Sequence, residues 1–393
     1  MKKTIRDIDV AGKRVFVRVD YNVPINSDLK IVDDTRIQST LPTINYLVEH
    51  GAKVILCSHL GRPDGQIDTK LSLRPVLARL SKLIDKPVSF AEDILDKSTK
   101  DLIKNMNNGD VLMLENIRFY AQEEANDEAF AKKLAGLADL FVLEAFGTAH
   151  RKHASTYGIA KHIPSVCGFL VEQELLMFDK VLNNPERPFV AILGGAKVAD
   201  KLPVIENLLD KVDTILIGGG MAYTFLKAIG GSVGMSILDN SKVELAKELY
   251  EKAKQKGVKI ILPIDNVAAK DFSEESESKV FSSGFIADDY QGMDIGKKTI
   301  KAFKKVIKKA KTIVWNGPLG VYEYEPFKNG TNKIAKYVAK SKATTIIGGG
   351  DSIAAVQNLG VARKISHIST GGGASLNLLQ GKTLPCVELI EDN

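Results

Sequence analysis

The sequence predicts a two-domain α/β protein, each domain a doubly wound parallel sheet of Rossmann-like type, the two joined by a hinge helix. Three observations lead there. Short, wholly apolar runs alternate with amphipathic stretches along the chain, the pattern of parallel strands covered on both faces. The length of 393 residues exceeds one ordinary compact domain and suits two of roughly 150–200 residues. Composition also changes midway. Every arginine except Arg187 and Arg363 lies in residues 1–151, whereas most of the 32 glycines lie beyond residue 190.

In order, strands are expected at 15–19, 54–57, 111–114 and 140–143, then at 189–193, 214–217, 259–262, 312–315, 345–347 and 366–368. Between the two sets, Gly168 precedes a helix with apolar residues at 170, 171, 175, 178 and 182. Asn183-Asn184-Pro185 ends it, because proline cannot continue a helix. The expected boundaries are 1–167, a connecting helix at 168–184, a second domain at 185–380 and an extended tail at 381–393. The lysine-rich 297–311 stretch carries Ile300, Phe303, Ile307 and Ala310 on one stripe and reads as a solvated amphipathic helix. The acidic 273–278 stretch reads as a surface loop.

Composition narrows the function. With 44% hydrophobic and 26% charged residues the chain belongs among folded globular proteins. A net charge of +6 is mild for this length and argues for small anionic substrates over nucleic acid. No run approaches a membrane span, and the N-terminal charges Arg6, Asp7 and Asp9 interrupt any signal-like segment. Cys57, Cys167 and Cys386 are too dispersed for a zinc or disulfide framework, which fits a cytoplasmic protein. No sustained heptad appears, so a monomer is expected.

The unusual segments fall just past the strands, where open α/β sheets bind ligands. In the first half these are Asp20-Tyr21-Asn22, Ser58-His59-Leu60-Gly61-Arg62-Pro63, Glu115-Asn116-Ile117-Arg118-Phe119 and Ala145 through Arg151. In the second they are Gly194-Gly195-Ala196-Lys197, Gly218-Gly219-Gly220, Trp315-Asn316-Gly317-Pro318, Gly348-Gly349-Gly350-Asp351-Ser352 and Thr370-Gly371-Gly372-Gly373. Arginine forks grip carboxylates or phosphates directly. Glycine-rich turns bring bare backbone N–H groups to a polyphosphate. A tight turn needs one glycine with positive φ, so three triglycines in one domain call for more than turn geometry.

Lys197 and Lys201 stand four apart at the start of a predicted helix, where like charges repel and cations oppose the macrodipole. An anion held between them would offset both penalties; two solvated lysines are the plainer alternative. Asp351 suits an N-cap, a ligand for nucleotide-bound Mg²⁺, or both. No G-x-x-x-x-G-K-[ST] and no G-x-G-x-x-G occurs, which excludes a P-loop enzyme and weakens an NAD-dependent dehydrogenase. A non-catalytic nucleotide-binding protein is the remaining alternative.

Arg18 to Pro24, Ser58 to Pro63, Leu114 to Phe119, Gly194 to Val198, Trp315 to Pro318, Gly348 to Asp351 and Ser369 to Ala374 together resemble the phosphoglycerate kinases, collinearly over essentially the whole chain. The resemblance implies phosphoryl transfer from 1,3-bisphosphoglycerate to MgADP, giving 3-phosphoglycerate and MgATP. It also implies an acid-binding N-terminal domain, a nucleotide-binding C-terminal domain and hinge closure. Asp20, Asn22, Arg36, His59, Arg62, Arg118 and Arg151 would hold the phosphoglycerate. Gly194, Gly195, Lys197, Lys201, Gly218, Gly219, Gly292, Asn316, Pro318, Glu323, Gly349, Gly350, Asp351 and Ser352 would hold the nucleotide, with Asp351 serving Mg²⁺. Arg36, Lys197, Gly350 and Gly373 would act on the transferring group. The tail would return to the N-terminal domain. Leu143-Glu144 stands where the family usually has Asn-Asp, which bears on the local support of Arg151. Cys386 stands where glycine is common, which bears on the turn of the tail.

Overall fold

The computed structural model describes all 393 residues and divides into two compact units, 1–176 with 383–393, and 177–382. In the first unit β1 (Arg14–Val19), β2 (Lys53–Cys57), β3 (Ser89–Ala91), β4 (Val111–Leu114), β5 (Leu140–Glu144) and β6 (Ser165–Cys167) form one sheet in the order β3-β4-β2-β1-β5-β6. Every pairing is parallel. The expected strands β1, β2, β4 and β5 are the apolar ones, and their residues are buried apart from Arg14 and Lys53 at the leading ends. Edge strands β3 and β6 were not anticipated. Each is three residues long, too short to show a pattern.

Helices α1 (Leu41–Glu49), α2 (Arg74–Ile84), α3 (Lys97–Lys104) and α4 (Glu128–Ala135) follow from local signals. Prolines occupy the first turns of α1 and α2, where the missing N–H costs nothing. Asp96 and Asp127 cap α3 and α4, accepting from the N–H groups of Thr99 and Phe130. The connecting helix α5 (Phe169–Asn183) occupies the expected span.

The second unit holds β7 (Phe189–Leu193), β8 (Thr214–Ile217) and β9 (Lys259–Ile261) on one side of its sheet. A three-stranded antiparallel sheet follows, made of β10 (Asp265–Ala269), β11 (Ser278–Ser282) and β12 (Gln291–Ile295). The main sheet continues with β13 (Thr312–Asn316), β14 (Thr344–Gly348) and β15 (His367–Ile368), in the order β9-β8-β7-β13-β14-β15, all parallel. The small sheet escaped sequence reading because β11 is mostly exposed and polar, with no apolar run to mark it. The main helices are α6 (Val198–Leu208), α7 (Met221–Ala228), α8 (Val243–Gln255), α9 (Lys297–Ile307), α10 (Asn329–Ala339), α11 (Gly350–Asn358) and α12 (Gly373–Leu379). As expected, α9 buries Ile300, Phe303 and Ile307.

In each sheet the chain turns from one side to the other beside a central strand, between β1 and β5 in the first unit and between β7 and β13 in the second, and in the first unit β3 also lies outside β4 at the edge. At such a point the loops past the strand ends diverge and leave a crevice. No helix is long and apolar enough to cross a membrane.

Candidate functional site

In the first unit the loops at the β1/β5 reversal gather charge. Asp20, directly past β1, is ion-paired with Arg36, and its other oxygen lies 3.8 Å from His59 Nδ1. Burial pushes the Asp20 carboxyl up, but the cations Arg36 and Arg18 and the Asn22 N–H outweigh it and hold the group below the ordinary carboxylate range. His59 is driven well below 6.5 by burial, opposed by Asp20 and reinforced by Arg18, Arg118 and Arg36. It is therefore a neutral imidazole among cations. His153 is lowered to about 4 by burial and by Arg118, Arg18 and Arg151. Positive potential this dense favours anions.

The expected residues Asp20, Arg36, His59, Arg118 and Arg151 come together through these mutual influences. Asn22 joins them structurally, its Oδ1 accepting the Gly61 N–H at 2.9 Å. Arg62 is exposed beside Gly61. The Arg118 guanidinium donates through Nη1 to the Gly61 carbonyl at 2.7 Å and faces Glu124 at 3.1 Å, yet its Nη2 is buried without a hydrogen-bond partner. His150 Nδ1 is orphaned in the same way. Buried donors left unmade are costly.

Sequence reasoning missed the layer beneath. Arg18 is 1% exposed, donating to Ser155 Oγ at 2.8 Å and lying 3.2 Å from His59 Nδ1. Glu123, fully buried, lies 4.0 Å from Arg18 and accepts the Ser155 N–H and O–H at 2.8 and 2.6 Å. The signal was present: an arginine inside the otherwise apolar strand RVFVRV must be paired, because a buried lone charge is prohibitive.

Glu144 corrects one expectation. Its carboxyl accepts from the Thr43 hydroxyl at 2.5 Å and the Leu170 N–H at 3.2 Å. It therefore anchors the first turn of α5 rather than supporting Arg151, whose Nε donates to His150 Nε2 instead. Burial raises Glu144 to about 7, against the hydrogen bonds from Thr43, Leu170 and Val171. Cys386 does not leave the tail in an open turn. It sits buried in the short helix Pro385–Glu388, its N–H donating to the Ala149 carbonyl at 3.2 Å.

In the second unit backbones crowd at the β7/β13 reversal. The Gly195 N–H donates to the Pro318 carbonyl at 2.8 Å, Gly194 to Asn316 at 3.0 Å and Gly219 to Leu319 at 3.0 Å. A Cβ at Gly194 or Gly219 would strike the Pro318 carbonyl, one at Gly218 the Leu319 side chain, and one at Gly292 the Tyr223 ring. Close packing thus explains those glycines without a ligand. Gly350 and Gly372 differ: a Cβ there would meet no protein atom within 4 Å. Gly350 opens α11 and Gly372 is the N-cap of α12, and neither Gly349, the N-cap of α11, nor Gly372 offers a side-chain hydrogen bond. In α12 the Ala374 N–H turns back to the Gly371 carbonyl at 2.8 Å, whereas no side chain caps the first turn of either helix.

The two lysines part company. Lys197 is the exposed N-cap residue of α6, while Lys201 is 8% exposed and hydrogen-bonded to Asn316 Oδ1, so the expected shared face is absent. Burial lowers Lys201 from 10.5 to about 8. Asp351 is not an N-cap, since Gly349 takes that place; it lies in the first turn of α11. Its carboxyl is raised by partial burial and by Glu323 nearby. Ser352 Oγ accepts the Gly317 N–H at 2.9 Å.

A family model for phosphoglycerate kinase matches residues 5–382. A phosphoglycerate kinase of Clostridium tetani is 53% identical over 394 aligned residues, covering 100% of this chain and 98% of its own. The chain belongs to the phosphoglycerate kinase family. It is a phosphotransferase, and each motif named above lies within the matched region or its immediate continuation. Solved structures agree. A phosphoglycerate kinase from Coxiella burnetii superposes with a TM-score of 0.89 at 40% identity, over 99% of this chain and 98% of that one. One from Pyrococcus horikoshii gives 0.86 at 35% identity, with coverage of 99% and 98%.

Proposed function

We propose that this kinase reversibly transfers a phosphoryl group from 1,3-bisphosphoglycerate to MgADP, with the acid held by the first unit and the nucleotide by the second. The carrying observation is the pair of unsatisfied donor sets: Arg118 Nη2 and His150 Nδ1 among arginines, and the uncapped first turns of α11 and α12. Asp20, Asn22, Arg36, His59, Arg62, Arg118 and Arg151 hold 3-phosphoglycerate. Gly194, Gly195, Lys201, Gly218, Gly219, Gly292, Asn316, Pro318, Glu323, Gly349 and Ser352 form or support the nucleotide site.

The acceptor in the reverse direction is a carboxylate, nucleophilic already at neutral pH, so no general base is required. Catalysis reduces to alignment and charge stabilisation of an in-line transfer. Arg36, Lys197 and the N–H groups at Gly350 and Gly373 stabilise the charge of the transferring group. Asp351 and Glu323 fit a divalent ion, because two neighbouring carboxylates repel and Mg²⁺ needs only one or two beside substrate phosphates. Mg²⁺, when bound, neutralises phosphate charge. The connecting helix α5 serves as the hinge that commits the bound reactants and excludes water. One chain carries both donor sets and both reactants are small anions, so a cytoplasmic monomer without nucleic acid or membrane suffices.

The test is a coupled assay with 3-phosphoglycerate and MgATP beside a magnesium-free control. Turnover that needs both reactants and the ion is expected; activity with other acids but not this one would defeat the reading.

A further inference from the structure

Arg14 and Lys53, the first residues of β1 and β2, stand at the opposite edge of the sheet from Asp20 and His59. Five residues at about 3.3 Å each put roughly 17 Å between the two ends. At that far edge lies a cavity of 660 Å³, within the range of about 300–1,000 Å³ typical of small-molecule sites. Lys100 and Lys104 of α3 and Lys133 of α4 stand around it with Arg14 and Lys53, and no acidic side chain lines it. Arg14 is matched by Asp139 at 2.6 Å. Lys53, Lys100, Lys104 and Lys133 form no ion pair.

Part of this charge has a local use. Lys104 and Lys133 lie in the last turns of their helices, where cations offset exposed carbonyls. Each helix end is worth about half a charge, so the two together answer about one cation of the four. Lys100 and Lys104 remain four apart on one face of α3, where like charges repel. About three positive charges are left over, enough for a polyphosphate. The partly exposed Leu95 also lines the cavity beside the buried Ile103 and Leu137, and with the lysine stems it offers an apolar surface that a bare inorganic ion cannot cover and a flat ring can.

We propose that the first unit carries a second anion site, separate from the reacting groups, that takes a nucleoside triphosphate or a phosphorylated ring compound of that size. Ammonium groups hold the phosphates and the apolar floor holds the ring.

Amide-resolved NMR on the full chain tests it, with magnesium-free ATP, tripolyphosphate and adenosine as separate probes. ATP is expected to shift the amides of Lys53, Lys104, Gly136 and Leu137 saturably, apart from any shifts at Gly194 and Gly195. It should bind there more tightly than either fragment. In Lys100→Glu/Lys104→Glu those shifts should weaken by at least about tenfold, which corresponds to 1.4 kcal/mol, while turnover stays at the parent value and reports an intact fold. Lys133→Glu, on the other helix, should act in the same direction. Silence at these amides would overturn the site, as would shifts that survive charge reversal. Tripolyphosphate binding as tightly as ATP would reduce it to an adventitious ion only.

Discussion

Burial sets the charge of Lys201 before any nucleotide arrives. Its drop from 10.5 to about 8 corresponds to about 3 kcal/mol of unfavourable burial at neutral pH. The unfolded chain binds the extra proton between pH 8 and 10.5, so stability rises with pH through that window and the penalty is complete below it. Lys201→Met removes the penalty and leaves Asn316 Oδ1 without its donor, a loss of about 1 kcal/mol. The variant is expected to melt higher than the parent at pH 7, with a gap that narrows by pH 10, while its nucleotide KM rises steeply. A constant gap would show that the lysine is not the source. Arg36 faces the opposite demand. It is partly exposed, but its partner Asp20 is buried, so Arg36→Ala should lower stability by about 1–3 kcal/mol, eased by Arg18 nearby. By analogy with other arginines that stabilise transferring phosphoryl groups, kcat should fall by on the order of 10³ with nucleotide KM nearly unchanged. Steady-state kinetics decides it, and near-parent turnover would remove Arg36 from the transfer step.

The first turn of α5 hangs on Glu144. Held at about 7 by burial, the group keeps a proton in the folded chain between pH 4.5 and 7 that the unfolded chain releases. Its contribution is therefore full at the acid end and is lost as pH rises through 7, by about 3 kcal/mol in all. Glu144→Gln mimics the protonated form, so its melting advantage over the parent should grow from pH 4.5 to pH 8. Parallel pH profiles for the two proteins would refute the assignment. This contact shows why elements were more legible than their joints. The apolar strands and α5 announce themselves through runs and periods of their own residues. Glu144, by contrast, meets Thr43 and Leu170, 101 and 26 positions away, and no local pattern encodes such a meeting. The Arg18–Glu123–Ser155 layer was hidden for the same reason, although the charge inside β1 pointed to it. The site motifs stood out because glycine and arginine are unusual past strand ends. What the sequence could not separate was glycine required by packing, as at Gly194 and Gly219, from glycine facing open space, as at Gly350.

Both chain termini belong to the first unit, and that closes the fold through residues farthest apart in sequence. The Asn393 N–H donates to the Met1 carbonyl at 2.7 Å, and Lys3 N–H to the Glu391 carbonyl at 2.9 Å. Leu384, Cys386, Val387 and Ile390 are buried, each at most 7% exposed. Cys386 Sγ lies 3.2 Å from the carbonyl of Arg151, so the tail braces the segment that presents this arginine to the acid site. Four apolar side chains at about 1.5–3 kcal/mol each give an upper bound of ~12 kcal/mol, and compact unfolded chains, which bury about 10–40% of that area already, reduce it to roughly 7–11. Removing residues 383–393 should thus destabilise the first unit without touching the second. Two units need not melt together, so calorimetry should show one transition falling by ten degrees or more, at about 4 °C or less per kcal/mol for a domain of this size, with the other in place. KM for 3-phosphoglycerate should rise as Arg151 loses its brace, and nucleotide KM should hold. If both transitions moved together, or if the acid KM stayed at its parent value, the tail would not be the support of the Arg151 segment that its contacts indicate.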